Sequence, residues 1–154
     1  MRRAEADDDE LLFRVYASGR ADELADVPWT DAEQELFLRH QFEAQRSHYR
    51  TQYPTSEELV VEEAAEPIGR LYLDRRDHEF CVMDIALLPD HRNRGIGGQL
   101  LVDVLADAHA QHVPVSLHVE ASNPARRLYA RLGFVEVERG PVYDRLEWHP
   151  EPAA

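Results

Sequence analysis

The 154-residue sequence predicts an α/β (α+β) fold, and three observations carry that prediction. Two helical segments come first, three strands follow in close succession, and the chain then alternates strand with helix. A basic, glycine-rich turn joins the third of those strands to a long helix. One compact domain over residues 1–154 accommodates all of this, with 146–154 expected as a frayed tail; the length is enough to bury a real core.

Residues 8–19 read as the first helix. The acidic run Asp7-Asp8-Asp9-Glu10 suits the positive end of a helix dipole, Leu11, Leu12, Val15 and Tyr16 form an apolar face, and Gly19 marks a stop. Thr30-Asp31-Ala32-Glu33 is a capping box that opens a second helix to about Tyr53, with Leu36, Phe37, His40, Ala44 and Tyr49 on one side and Tyr53-Pro54 at its end. Residues 59–64, 67–74 and 79–88 read as three strands joined by short polar turns, an antiparallel meander. Ile96, Leu100, Leu101, Val104, Leu105 and Ala108 then give an amphipathic helix to about Gln111, followed by a strand at 113–120. Asn123 heads a fourth helix as N-cap, Pro124 takes the first helical position where no N–H is needed, and Gly133 closes it. Strands at 134–139 and 142–148 flank Gly140-Pro141.

A net charge of −13 argues against nucleic acid as a principal partner, since neutralising phosphates needs a basic face. No apolar run approaches the roughly 20 residues of a membrane helix, and the N-terminus lacks the apolar core of a signal peptide, so the expected location is cytoplasmic with no membrane partner. Cys81 is the single cysteine; it lies in an apolar strand pattern, where its expected role is packing. No Cys/His or paired-carboxylate spacing suggests a metal site, and His109 and His112 fall at the outer end of a helix.

The turn Arg92-Asn93-Arg94-Gly95-Ile96-Gly97-Gly98-Gln99 is suited to a pyrophosphate. Its glycines let the backbone approach an anion, and the unpaired N–H groups of the following helix point at it. Arg92 and Arg94 add positive charge there. A P-loop would need Gly-Lys-Ser/Thr, and Gly97 is followed by Gly98-Gln99; a dinucleotide fingerprint needs three spaced glycines and a later acidic residue. Neither pattern is met.

Arg92-x-x-Gly95-x-Gly97 after a strand ending in Leu87-Leu88-Pro89 resembles the acyl-CoA signature of the GNAT superfamily of N-acyltransferases. Asn123-Pro124-Ala125-Arg126-Arg127-Leu128-Tyr129-Ala130-Arg131-Leu132-Gly133-Phe134 resembles the same superfamily's later motif. The resemblance covers nearly the whole chain and implies a mixed central sheet of about six to seven strands flanked by about four helices. It also implies an acyl-CoA cleft between two splayed parallel strands. Residues 1–5 leave room for only a short first strand, or none.

By that resemblance the chain is an acetyl-CoA-dependent N-acetyltransferase. Backbone groups of Ile85, Ala86 and Leu87 would hold pantetheine and polarise the thioester carbonyl, Asn93 to Gln99 would hold the pyrophosphate, and Asn123 would bond the cofactor near its pantetheine arm. Tyr129 is the expected acid for the departing thiolate. Strand alternation sets Ser116, His118 and Glu120 on one face, and His118 is the stronger candidate base because imidazole titrates near neutral pH. Asp84, the ionisable side chain in an apolar run, either holds an ammonium or positions water; a structural carboxylate is the competing reading, as burial without a partner is costly.

A non-catalytic acyl-CoA-binding domain of the same fold is the alternative. The sequence leaves the amine acceptor open among small molecules and protein amines, with Trp29, Phe37, His40, Phe42, Tyr49 and Tyr53 on the side that covers it in the superfamily. Such folds commonly dimerise, and a homodimer stays open.

Overall fold

A computed structural model describes residues 1–151. Seven strands form one mixed sheet in the order β1-β2-β3-β4-β5-β7-β6, with four α-helices. The elements are β1 (Arg2–Arg3), α1 (Asp9–Leu24), α2 (Asp31–Gln52), β2 (Ser56–Glu63), β3 (Glu66–Arg75), β4 (Phe80–Leu87), α3 (Ile96–Gln111), β5 (Val115–Glu120), α4 (Arg126–Leu132), β6 (Val135–Arg139) and β7 (Tyr143–Trp148). None of the described helices is long and apolar enough to cross a membrane. Two compact units emerge, residues 1–72 with 84–92, and residues 73–83 with 93–151 of those described; the chain passes from one to the other within β3, within β4 and at Arg92–Asn93.

In the first unit, β1 is the short first strand that residues 1–5 leave room for, antiparallel to β2 with Arg2 opposite Val60. Arg2 forks onto the buried Asp8 carboxylate at 2.7 and 2.8 Å, and Asp8 also accepts the Glu5 N–H at 2.8 Å. The Arg2 hydrogen bonds, helped by that backbone bond, hold the Asp8 carboxyl down to about 2. The acidic run therefore begins as a 3-10 turn, Ala6–Asp8, before α1.

Gly19 does not stop α1, which continues to Leu24. One interior glycine costs a helix only about 1 kcal/mol, and Leu24 packs on the cluster of Leu12, Phe13, Leu38, Phe42 and Val60. The capping box at Thr30 and Glu33 forms in both directions. The buried face of α2 differs from the expected one: Leu38, Phe42 and Arg46 are buried, whereas Leu36, Phe37 and His40 are exposed. A charged residue on the core stripe and an apolar one outside it hide the true periodicity. The two-residue turn between β2 and β3 is Ala64-Ala65, both left-handed at φ 50° and 67°.

In the second unit, β5 runs parallel to the start of β4, from Phe80 opposite Val115 to Val82 opposite Leu117. It is antiparallel to β7 along its length, and β6 pairs outside β7 with an irregularity between Glu136 and Glu138. Leu100, Leu101, Val104, Leu105 and Ala108 form the buried stripe of α3. Residues 146–148, expected within a frayed tail, belong to β7: Leu146, Glu147 and Trp148 are ladder residues opposite Leu117, Ser116 and Val115, and Leu146 is buried. Apolar alternation across Gly140-Pro141 outweighs the proximity of the chain end. Residues 152–154 lie outside the described part.

Candidate functional site

The first unit supplies the end of β4. Ile85, Ala86 and Leu87 are half-buried although apolar, so this stretch of strand keeps surface that a ligand could cover. Its position depends on β3: Leu88 N–H bonds the Ile68 carbonyl at 2.8 Å, and Gly69 lies against the Ala86 carbonyl and Leu87. Gly69 escaped notice in the sequence because its partner strand lies many residues further along the chain.

Asp84 is not isolated. Arg70, 1 % exposed, donates to Asp84 Oδ2 through Nε at 3.1 Å and Nη2 at 2.6 Å. The same guanidinium reaches Glu58 Oε2 at 3.3 Å and Gln45 Oε1 at 2.6 Å, and Glu58 Oε1 accepts from Arg46 at 2.9 Å. Phe42 lies beneath both guanidinium groups, 4.9 Å from Arg46 and 5.7 Å from Arg70. Asp84 therefore ends a chain of alternating charges, and its carboxylate is oriented before any ligand arrives. Neither Arg70 nor Glu58 was singled out from the sequence, where each reads as an ordinary strand residue.

Arg92 turns back onto the protein. Its Nε donates to the Leu87 carbonyl at 2.9 Å and Nη2 to Ser18 Oγ of α1 at 3.1 Å, so the charge expected at a phosphate also ties the end of β4 to α1.

Between α1 and α2 lies a cavity of about 200 Å³. Tyr16, Leu24, Phe37 and Leu38 give it apolar walls, and Arg20, Glu23 and Gln41 give it polar ones. Trp29 packs on Phe37 with ring centroids 5.0 Å apart. Of the aromatic residues expected on this side, Phe42 is core, while Tyr49 packs edge-on against Tyr72 at 4.8 Å.

The second unit supplies the turn and the start of α3. Asn93 (φ 59°) and Gly95 (φ 82°) are both left-handed, a conformation open to glycine and tolerated by asparagine. They swing the chain into α3, where Gln99 N–H bonds the Gly95 carbonyl at 3.0 Å. By helix geometry the N–H groups of Ile96, Gly97 and Gly98 precede that bond and point out of the helix end. A Cβ built on Gly97 meets nothing within 4 Å, whereas one on Gly98 comes within 3.4 Å of Leu128. Gly97 thus faces open space and Gly98 serves packing on α4. Arg94 is exposed on the same turn.

Tyr129 is buried and stands edge-on to Phe134 at 5.9 Å, held where Gly133 (φ 101°) closes the helix. Asn123 is exposed, and its Oδ1 accepts the Ala125 N–H at 2.9 Å, a local turn rather than the expected cap: the N-cap is Ala125, which has no side-chain cap bond, so Asn123 and Pro124 precede the helix. The regular helix starts at Arg126, which reaches the buried Asp144 at 3.0 Å. His118 and Glu120 are exposed on β5, with Arg145 and Tyr143 as their cross-strand neighbours on β7. Cys81 stands beside Ser116 in the ladder, and burial pushes its thiol up, which suits packing rather than nucleophilic work. His112 ends α3 in a left-handed cap.

The family model for the acetyltransferase (GNAT) family matches residues 21–134, most of the chain and all of the glycine turn. The chain belongs to that family. No curated protein matches it in sequence. Among solved GNAT-type structures, PaiA N-acetyltransferase from Thermoplasma acidophilum, in complex with coenzyme A, is 18 % identical with a TM-score of 0.73, over 96 % of both chains. An acetyltransferase from Thermus thermophilus is 21 % identical with a TM-score of 0.68, over 96 % of this chain and 94 % of the other. A GNAT family acetyltransferase from Elizabethkingia anophelis with acetyl-CoA bound is 21 % identical with a TM-score of 0.57, over 66 % of this chain and 82 % of the other. At such identities the likeness is one of fold, and the seven-stranded mixed sheet with four helices is the fold they share.

Proposed function

We propose that this GNAT protein is an acetyl-CoA-dependent N-acetyltransferase that passes the acetyl group directly to a primary amine in a ternary complex. The turn carries the reading: two left-handed residues lead into a helix whose first N–H groups are outward and whose Gly97 faces open space. Asn93 to Gln99 would take the pyrophosphate, the backbone of Ile85, Ala86 and Leu87 the pantetheine amides, and Asn123 the cofactor through its side-chain nitrogen. Two relatives in fold are described with coenzyme A or acetyl-CoA bound, which supports the same ligand here.

In this reading the amine nitrogen attacks the thioester carbonyl carbon, a β4 N–H supports the developing oxyanion, and the carbon–sulfur bond breaks. Tyr129 gives its hydroxyl proton to the departing thiolate and is restored by the second proton that the nitrogen releases, through water, as the amide forms. His118 is the proposed base, taking a proton from the ammonium through water. Asp84, held by Arg70, is assigned the positioning of the ammonium rather than proton transfer. The cavity lined by Tyr16, Arg20 and Phe37 is the proposed acceptor pocket.

Calorimetric titration of acetyl-CoA into wild type and Gly97→Glu tests the binding half, because a Cβ at this position meets no protein atom within 4 Å and the carboxylate would oppose a pyrophosphate. An amine panel read by thiol release, with Tyr129→Phe alongside, tests the chemistry. Micromolar binding lost in Gly97→Glu, with turnover reduced at least tenfold by Tyr129→Phe, is expected. Binding without turnover on any amine would replace the enzyme with an acyl-CoA-binding domain, and no binding would remove both readings.

A further inference from the structure

A second cavity of about 440 Å³ lies wholly within the first unit, at the C-terminal end of α2; none of its lining residues is assigned to the reaction, and Glu58 links it to Asp84 through Arg70. One part of its wall donates. Tyr72 is 3 % exposed, lines the cavity, and its hydroxyl makes no hydrogen bond among the described residues. Burial, with the Glu58 carboxylate near, pushes that hydroxyl up, so it is a protonated donor at neutral pH. Arg50 acts electrostatically on the Tyr72 hydroxyl, and makes no ion pair among the described residues. Arg46 adds a buried Nε that has no hydrogen-bond partner among the described residues. The rest of the wall brings in Arg3 and the carboxylates of Glu5, Asp9, Glu57 and Glu58, of which Glu57 pairs with Arg3 at 3.3 Å and Asp9 and Glu58 with Arg46 at 3.1 and 2.9 Å.

A cation without an ion pair beside a buried phenol that no protein group uses is a place for a carboxylate, which would satisfy the phenol and add a charge-assisted bond from Arg50. The surrounding carboxylates oppose a ligand of purely negative charge, and they complement an ammonium. The volume suits a molecule of amino-acid to dipeptide size. We infer that this cavity is a binding site for a zwitterionic amino acid, its carboxylate on Arg50 and Tyr72 and its ammonium on the facing carboxylates, separate from the amine-acceptor pocket. The site would bind with or without transferase activity, so its test does not depend on that reading.

The full-length protein is screened by thermal shift against the individual L-amino acids, and affinities are then measured by calorimetry. Controls are the N-acetyl and amide derivatives of any amino acid that binds, and inorganic phosphate. At least one amino acid should bind, with affinity reduced tenfold or more in Arg50→Ala and threefold or more in Tyr72→Phe, and blocking either the ammonium or the carboxylate should abolish binding. Arg50 is exposed and Tyr72→Phe keeps the ring, so both variants should retain the wild-type circular dichroism. No binding by any amino acid, undiminished binding in Arg50→Ala, or equal binding of the N-acetyl derivative or phosphate would overturn the inference. A bound amino acid that is itself acetylated, with turnover lost in Arg50→Ala, would make this the acceptor pocket and overturn its assignment as a second site.

Discussion

Arg70 gives both Nε and Nη2 to one oxygen of Asp84, at 3.1 and 2.6 Å, from a side chain almost fully buried. The two partners are not equivalent. Asp84 keeps 30 % of its side chain exposed, whereas Arg70 is also the counter-charge of Glu58. Removing Arg70 leaves Asp84 without its cation and Glu58 with Arg46 alone, and breaking a buried pair by removing one partner costs about 3–5 kcal/mol. Removing the Asp84 charge leaves Arg70 with Glu58 and Gln45. Urea unfolding should therefore show Arg70→Ala destabilised by about 3 kcal/mol or more and Asp84→Asn by clearly less. Equal losses would mean that the chain of charges ends at Arg70 instead of at Asp84.

Gly69 makes a different demand. A methyl group there would collide with the Ala86 carbonyl and come within 2.7 Å of Leu87 Cδ2, and the backbone has nowhere to relax without moving β4. Gly69→Ala should cost about 1–3 kcal/mol, as other overpacked sites do. It should also weaken acetyl-CoA binding, because the displaced segment is the one assigned to pantetheine. Calorimetry at a temperature where the variant is fully folded separates the two effects; wild-type affinity in a destabilised Gly69→Ala would detach β4's edge from the ligand.

What the sequence disclosed, and what it concealed, follows from the range of the interactions. Thr30 with Glu33, the α3 stripe from Leu100 to Ala108, and the left-handed Gly133 were legible because each is satisfied within a turn or two of the helix. The glycine turn was legible because a helix start and its preceding strand adjoin in sequence. Arg70 and Gly69 were not, since their meaning lies in Asp84, Glu58 and Ala86 on other strands. The α2 face was misread for the same reason: Arg46 is buried only because Asp9 and Glu58 neutralise it from elsewhere. Arg92 combined both cases, its place in the motif being plain and its bond to Ser18 invisible.

Asp8 gives the N-terminus a defined response to acid. Its carboxyl is held at about 2, below the ordinary 3.8, chiefly by the Arg2 hydrogen bonds. A depressed carboxyl contributes stability that is fully present above the unfolded value and is lost as pH falls through the folded one. Between pH 5 and pH 2 the melting temperature of wild type should fall more than that of Asp8→Asn, which has no proton to take up at this position. At pH 7 Asp8→Asn should be the less stable of the two. Parallel curves over that range would show that Arg2 contributes no net stability through Asp8.

Arg92 offers two ways to affect ligand binding, and a double-mutant cycle tells them apart. If it acts only as a charge on phosphate, Ser18→Ala leaves acetyl-CoA affinity unchanged, and Arg92→Ala lowers it equally in either background. The bonds to Ser18 Oγ and the Leu87 carbonyl predict instead that Arg92 also holds the end of β4 in place. Ser18→Ala should then weaken acetyl-CoA two- to threefold by itself, and Arg92→Ala should lose less in the Ser18→Ala background than in wild type. A coupling of about 0.5–1 kcal/mol is the size expected for one such hydrogen bond. Strict additivity in the cycle would return Arg92 to the role of a phosphate ligand alone.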